Sequence, residues 1–414
     1  MKKLLASWKD ARERHRDRHR PTGFQFAAAD SVQFLNGDHW DAVTESSSFF
    51  LQRSYLGLLE DFGPENLELK CSLIYKENKP LAAVVAQVIN ISGDRMLRAA
   101  STVSKEGTRN LWKKTFGPAA RKASARIRDR VLVCGNLLSW GRHGVAFAPE
   151  ADPAQLWPGV AEALYRIRRA EKLAGETNLM LLKDISPDAD KDVVALRRFS
   201  YRPVSTDPDM VLTLRPEWSS YKDYLASLDG KYRKGALQIA KQIENAGCRV
   251  EHLPDLEPNA ARLQELYLQV QENAAIRPVT LHPAYLPALA RLAGGNNFKC
   301  IVIRRGDDFF GFVTLLRESD SATGYYIGFD RTAAQELPLY LRLLHAVVEE
   351  AIHWKCRRLS FGRTALEPKA RLGAKPEPMC VYVRHRHPTL NFFIRKLVYA
   401  IPHQEAPERN PFKA

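Results

Sequence analysis

The stretch from Phe309 to Ala374 narrows the possible folds of this chain more than any other. Phe309 to Leu316 is apolar and β-rich, Ser319 to Thr323 is a turn of small polar residues, and Gly324 to Phe329 reads as the next strand. From Pro338 to about Trp354, Tyr340, Leu344, Val347, Val348 and Ala351 recur at helical spacing, and Pro338 suits a first helical position. Leu359-Ser360-Phe361 is a short buried strand, followed by a charged loop from Gly362 to Lys369. A hairpin strand thus feeds a helix that returns to a neighbouring strand. Leu337 stands at the N-cap and has no side chain able to cap, which leaves backbone N–H groups for water or an anion.

The same order of elements occurs earlier. Ser31 to Leu35 reads as a strand, 38–46 and 51–62 as helices, and Leu67 to Tyr75 and Leu81 to Ile91 as strands. Val131 to Leu138 resumes the sheet, Trp140-Gly141-Arg142-His143-Gly144 is a loop, and Pro153 to Leu173 is an amphipathic helix. Strand 178–182, helix 190–199 and strand 210–214 follow. The second half runs from a joining helix, 220–245, through strand 249–252 and helices near 257–275 and 283–293 to a hairpin around Arg305-Gly306-Asp307-Asp308. After the opening stretch come a strand at 379–384 and a helix at 389–401. Both halves read β, α, α, β, β, β, α, β. The expected class is therefore α/β (α+β): two lobes in tandem, each a mixed, mostly antiparallel sheet flanked by helices. The expected domains are a basic arm at 1–22, a first lobe at 23–215 with a basic insert at 94–130, a second lobe at 216–402 and a tail at 403–414.

Charge supplies the next constraint. The formal net charge is +15, and the pI is near 9.5, a balance that favours an anionic partner: nucleic acid, an anionic membrane face or an acidic carrier. Between Arg95 and Arg130 there are eleven Lys and Arg against Glu106 and Asp129. The cysteines are scattered with no CxxC, which fits a reducing cytoplasm. Residues 1–20 have no apolar segment of a secretory signal, and no run of 18 apolar residues occurs, so no transmembrane segment is expected. His143 and His385-Arg386-His387 lack metal-ligand spacing, so no metal is expected. No GxSxG or P-loop pattern is present, which argues against a serine hydrolase or a nucleotide triphosphatase.

The element order, together with Lys231-Tyr232-Arg233-Lys234 and Leu359-Ser360-Phe361-Gly362-Arg363-Thr364 with Glu367, Lys369, Leu372 and Gly373, resembles the GNAT superfamily, and the tandem copy resembles its FemAB-like branch. The resemblance implies an acyltransferase moving an acyl group from an acyl-CoA-type donor to the amine of a small, lipid or cell-envelope acceptor by direct attack. Aminoacyl-tRNA is the alternative donor. A non-catalytic RNA- or membrane-binding protein with a decayed site is the rival class. Single-domain members carry a glycine-rich pyrophosphate loop before the central helix; here Arg331-Thr332-Ala333-Ala334-Gln335-Glu336-Leu337-Pro338 has no glycine.

The candidate catalytic residues are Asp330 as base, Tyr340 as the acid that protonates the leaving group, and Glu367 as base or as a partner holding Lys369. Arg363 and Lys369, just past a strand end, are candidates to bind an anionic substrate or donor, with Arg331 in the loop before the central helix. Lys231, Lys234 and Lys241 lie opposite the apolar face of their helix and form a cationic strip suited to phosphates. The expected location is cytoplasmic, with a peripheral place at the inner membrane face as the variant.

Overall fold

The structure, a computed structural model, describes residues 20–92, 128–187, 191–272, 278–392, 407 and 409–413. Most of the basic arm, the basic insert and the helix expected at 389–401 lie outside the described residues. The described chain divides into two compact units. The first takes in the chain up to Glu60, Asn66–Ser205 and the stretch beginning at Cys380; the second takes in Asp61–Glu65, Thr206–Met379 and the last described residues.

In the first unit, strand β1 (Gln25–Ala29) is followed by helices α1 (Gly37–Thr44) and α2 (Arg53–Phe62), then β2 (Leu67–Lys76) and β3 (Lys79–Ser92). Glu77 and Asn78 both have positive φ, 53° and 65°. They make the two-residue turn whose twist matches an antiparallel hairpin. Next come β4 (Arg128–Cys134), the short β5 (Val145–Phe147), α3 (Pro153–Ala170) and β6 (Thr177–Ile185). Helix α3 begins where Asp152 accepts from the Ala154 N–H and proline fills the first helical position. It buries Trp157, Val160, Ala161 and Leu164 against the sheet. Strand β4 pairs with β6 in parallel, the arrangement that a crossing helix such as α3 permits. The first expected strand is displaced: Ser31 caps a 3-10 turn at Val32–Phe34, and the strand lies earlier, in Gln25–Ala29. The helix expected at 190–199 is a 3-10 run, Lys191–Phe199.

In the second unit, β7 (Arg202–Thr213) leads to α4 (Tyr221–Ser227) and α5 (Gly230–Asn245). The joining helix is thus broken at Leu228 and Asp229. Strand β8 (Arg249–His252), helices α6 (Ala260–Gln271) and α7 (Tyr285–Ala293), and strands β9 (Phe298–Arg305), β10 (Asp308–Glu318) and β11 (Ser321–Phe329) follow. Then come the short α8 (Ala333–Glu336), the central helix α9 (Leu339–His353), β12 (Arg358–Ser360), α10 (Leu366–Arg371) and β13 (Lys375–His385). The strand order is β7-β12-β11-β10-β9-β8. Only β11 and β12 pair in parallel there; the other neighbours are antiparallel. Leu339, Leu343, Leu344, Val347, Val348 and Ala351 of α9 form the core with Val313, Leu315 and Leu359. At Gly324 a side chain would press on Val347, so its absence lets α9 approach β11 closely.

Each unit completes its sheet with a strand far away in sequence. Strand β7 pairs with β12, and the Cys380–His385 part of β13 pairs with β6. The division therefore falls at Ser205/Thr206, inside β7, instead of at 215/216. Among the described residues of the expected tail, Phe412 packs on Trp218 and Tyr224 in the second unit. Among the described residues, no helix is long and apolar enough to cross a membrane.

Candidate active site

The parallel pairing of β11 and β12 is short. Ser321, Ala322 and Thr323 face Arg358, Leu359 and Ser360, and there the ladder ends while β11 continues to Phe329. The two strands part there: beyond Ser360 the chain stays bonded to β7, and β11 from Gly324 onward has no pairing with it. Residues 361–365 form the opposite lip. Phe361 N–H donates to Met210 O at 2.9 Å, and Met210 N–H donates to Gly362 O at 3.2 Å. The Asp209 carboxylate accepts from Ser360 Oγ at 2.7 Å on each oxygen, and from Gly362 N–H at 3.0 Å. Lys369 Nζ, on α10, donates to Gly362 O at 3.0 Å. Gly362 has φ 75° and Ala365 has φ 52°. For Ala365 this left-handed conformation is strained, and strain of this kind clusters at functional sites.

Burial sets the electrostatics of this group. Lys369 is 3% exposed and Asp209 6%. Burial pulls the Lys369 amine down to about 8, opposed by the negative charge of Asp209. Burial likewise pushes the Asp209 carboxyl up, against the Ser360 hydroxyl and the Lys369 charge. Asp209 and Ser360 escaped the sequence reading. Nothing local marks Asp209 within a strand, and Ser360 resembles any small strand residue.

Residues 230–370 match the family described as Acetyltransferase (GNAT) domain. The described chain shares its fold with a known structure. The structure of FemX is similar with a TM-score of 0.50 at 9% identity, covering 89% of this chain and 99% of that one. At that identity the likeness is one of fold. A tandem GNAT protein from the clavulanic acid biosynthesis pathway aligns at 10% identity, TM-score 0.48, over 88% of this chain and 99% of that one. A GCN5-related N-acetyltransferase from Sphaerobacter thermophilus aligns at 12% identity, TM-score 0.42, over 89% and 97%. A search of the curated proteins finds no match to the chain.

Within the matched stretch the sequence candidates separate. Lys369 bonds the Gly362 carbonyl, and Arg363, the next residue along, donates from Nε to Asp207 O at 3.2 Å. Lys369 is on a helix and buried, whereas the sequence placed it on an open loop. Glu367 does not hold Lys369. It pairs with Arg371 at 3.0 Å and Arg409 at 3.1 Å, and these guanidinium groups hold its carboxyl below the usual range, which suits a structural partner more than a base. Asp330 holds the start of α8: its Oδ1 accepts from Ala333 N–H at 2.8 Å.

Tyr340 sits in the first turn of α9 with its ring centroid 6.0 Å from that of Phe329, at the end of β11. Burial pushes its hydroxyl up to about 12. Helix α9 starts one residue later than expected, with Pro338 at the N-cap and no side-chain cap. Arg331 is exposed and, with Phe329, Thr332, Ala334 and Gln335, lines a cleft of about 270 Å³. The loop amides of Ala333, Ala334, Gln335 and Leu337 all donate within the chain. Lys231, Lys234 and Lys241 lie on the exposed face of α5, whose buried residues are Ala236 and Ile243.

Proposed function

We propose that the second unit transfers an acyl group from an acyl-CoA-type thioester to the amine of a small, lipid or cell-envelope acceptor by direct attack. The observation that carries this reading is the parting of β11 and β12 after Thr323 and Ser360, which leaves a strand edge for an extended acyl arm to lie along. The incoming amine attacks the acyl carbonyl and gives up a proton to solvent, the carbon–sulfur bond breaks, and the departing thiolate takes up a proton. Tyr340 keeps its own proton at neutral pH and is the candidate donor to that thiolate. Arg331, beside its cleft, is the candidate partner of the donor's phosphates.

One observation favours a second donor. The loop before α9 has no glycine, and four of its amides are engaged within the chain, so it offers a poor backbone cradle for pyrophosphate. Aminoacyl-tRNA would need no such cradle, and the exposed cations of α5 suit its backbone. An anionic membrane face is the other partner class that the charge supports, consistent with work on the cytoplasmic side. Calorimetry with acetyl-CoA, a long-chain acyl-CoA and an aminoacyl-tRNA, followed by transfer to an amine panel, tests this. Tight acyl-CoA binding with transfer supports the first donor. Transfer from tRNA alone supports the second, and transfer from neither rejects the reading.

A further inference from the structure

The matched GNAT stretch begins at residue 230, yet the residues that hold the β12 lip lie before it. Asp207 O, Asp209 and Met210 receive Arg363, Ser360, Gly362 and Phe361 in turn, so every one of these contacts comes from β7. Gly362 is the node. Its N–H donates to Asp209 and its carbonyl accepts from Lys369. A buried ammonium needs a compensating charge or it sheds its proton. Glu367 is engaged by Arg371 and Arg409, and Glu377, which faces Asp209, is bonded by Arg358 at 2.8 Å. That leaves Asp209 as the group whose charge supports Lys369.

We propose that Asp209 is a positioning residue of the acyl-transfer site, acting through Ser360, Gly362 and Lys369 to fix the β12 lip and keep a positive charge behind it. This rests on the acyl-transfer reading of the strand parting. A fixed positive charge behind the lip stabilises the oxyanion that develops on the acyl carbonyl, without reorganising during the reaction. The consequence is that the matched stretch depends on a strand encoded before it.

The test uses the full chain with lysine labelled at its ε-carbon, Lys369 being assigned by its disappearance in Lys369→Met. In the wild type the Lys369 resonance should titrate near 8. In Asp209→Asn the amide still accepts from Ser360 and Gly362, but the charge is gone. The titration should fall by about one unit or more, since an opposite charge nearby is worth about one to three. Ser360→Ala keeps the charge and should leave the titration near the wild-type value. An unchanged titration in Asp209→Asn overturns the proposal whatever the activity, so it can fail while the acyl-transfer reading stands. Once a donor and acceptor are in hand, kcat of Asp209→Asn at pH 8 should drop at least about tenfold with KM little changed. Its pH profile should move with the titration; a wild-type profile would also overturn the proposal. If Asp209→Asn does not fold, Asp209→Asn/Lys369→Met, which removes the uncompensated charge as well, should fold. Failure of that double variant counts against the proposed pairing.

Discussion

Ala365 is held at φ 52° and ψ 60° immediately before α10, a conformation that costs an L-residue with a Cβ about 1–2 kcal/mol. Ala365→Gly should therefore raise stability by about 1 kcal/mol, read as a higher urea midpoint with an unchanged slope. Lys369 gives a pH signature. Its amine is lowered from 10.5 to about 8 in the folded chain. Below pH 8 the folded and unfolded chains both hold the proton, and the cost of burying the charge is fully present. Between about 8 and 10.5 the unfolded chain keeps the proton that the folded chain has lost, so stability recovers as pH rises, by a few kcal/mol in order of magnitude. Lys369→Met lacks this term. The stability difference between the two proteins should shift in favour of the wild type from pH 8 to pH 10, measured by urea unfolding at each pH. A constant difference would show an ordinary lysine.

At the scale of elements, most helices and strands followed from local pattern, while their ends and pairings followed from contacts outside it. The stripe of α9 is legible because its burial repeats at helical spacing on one continuous core. The loop expected at 362–369 holds α10 from Leu366, and the last described residues reach it and the turn that follows. Arg409 bonds Glu367, and Phe412 lies against Gly373, where any Cβ would collide with its ring. Arg215 stands over the same Phe412 ring, 4.7 Å from its centroid. Asp229 N–H to Pro411 O, at 2.8 Å, and Lys413 N–H to Ser227 O, at 2.9 Å, tie the segment down on both sides. Phe412 is half-buried against the core, so Phe412→Ala should cost about 1–2 kcal/mol in chemical unfolding, less than a fully buried aromatic. A loss within experimental error would mean that the segment adds nothing to the second unit.

At the scale of the whole molecule, the net charge of +15 makes any nucleic-acid binding strongly salt-dependent. If Lys231, Lys234 and Lys241 contact single-stranded RNA phosphates, each contact should contribute about 0.7 to the slope of log affinity against log salt. The triple alanine variant should then lose about two from that slope; an unchanged slope would assign the strip to solvation. The amino-acid sequence by itself determined the two-fold repeat of element order and the β11-α9-β12 unit. It also determined the basic character and the placing of Arg363 and Lys369 beside a strand end. All of these are written in near-neighbour periodicity and composition. Only the tertiary structure decided that Glu367 serves Arg371 and Arg409, that Asp330 holds the start of a helix, and that Lys369 is buried behind Gly362. Only it brought Asp209 to Ser360 across 151 residues. Strand pairing between the two halves of a chain leaves no periodic mark on either strand, because each residue's burial is fixed by a partner it meets only after folding.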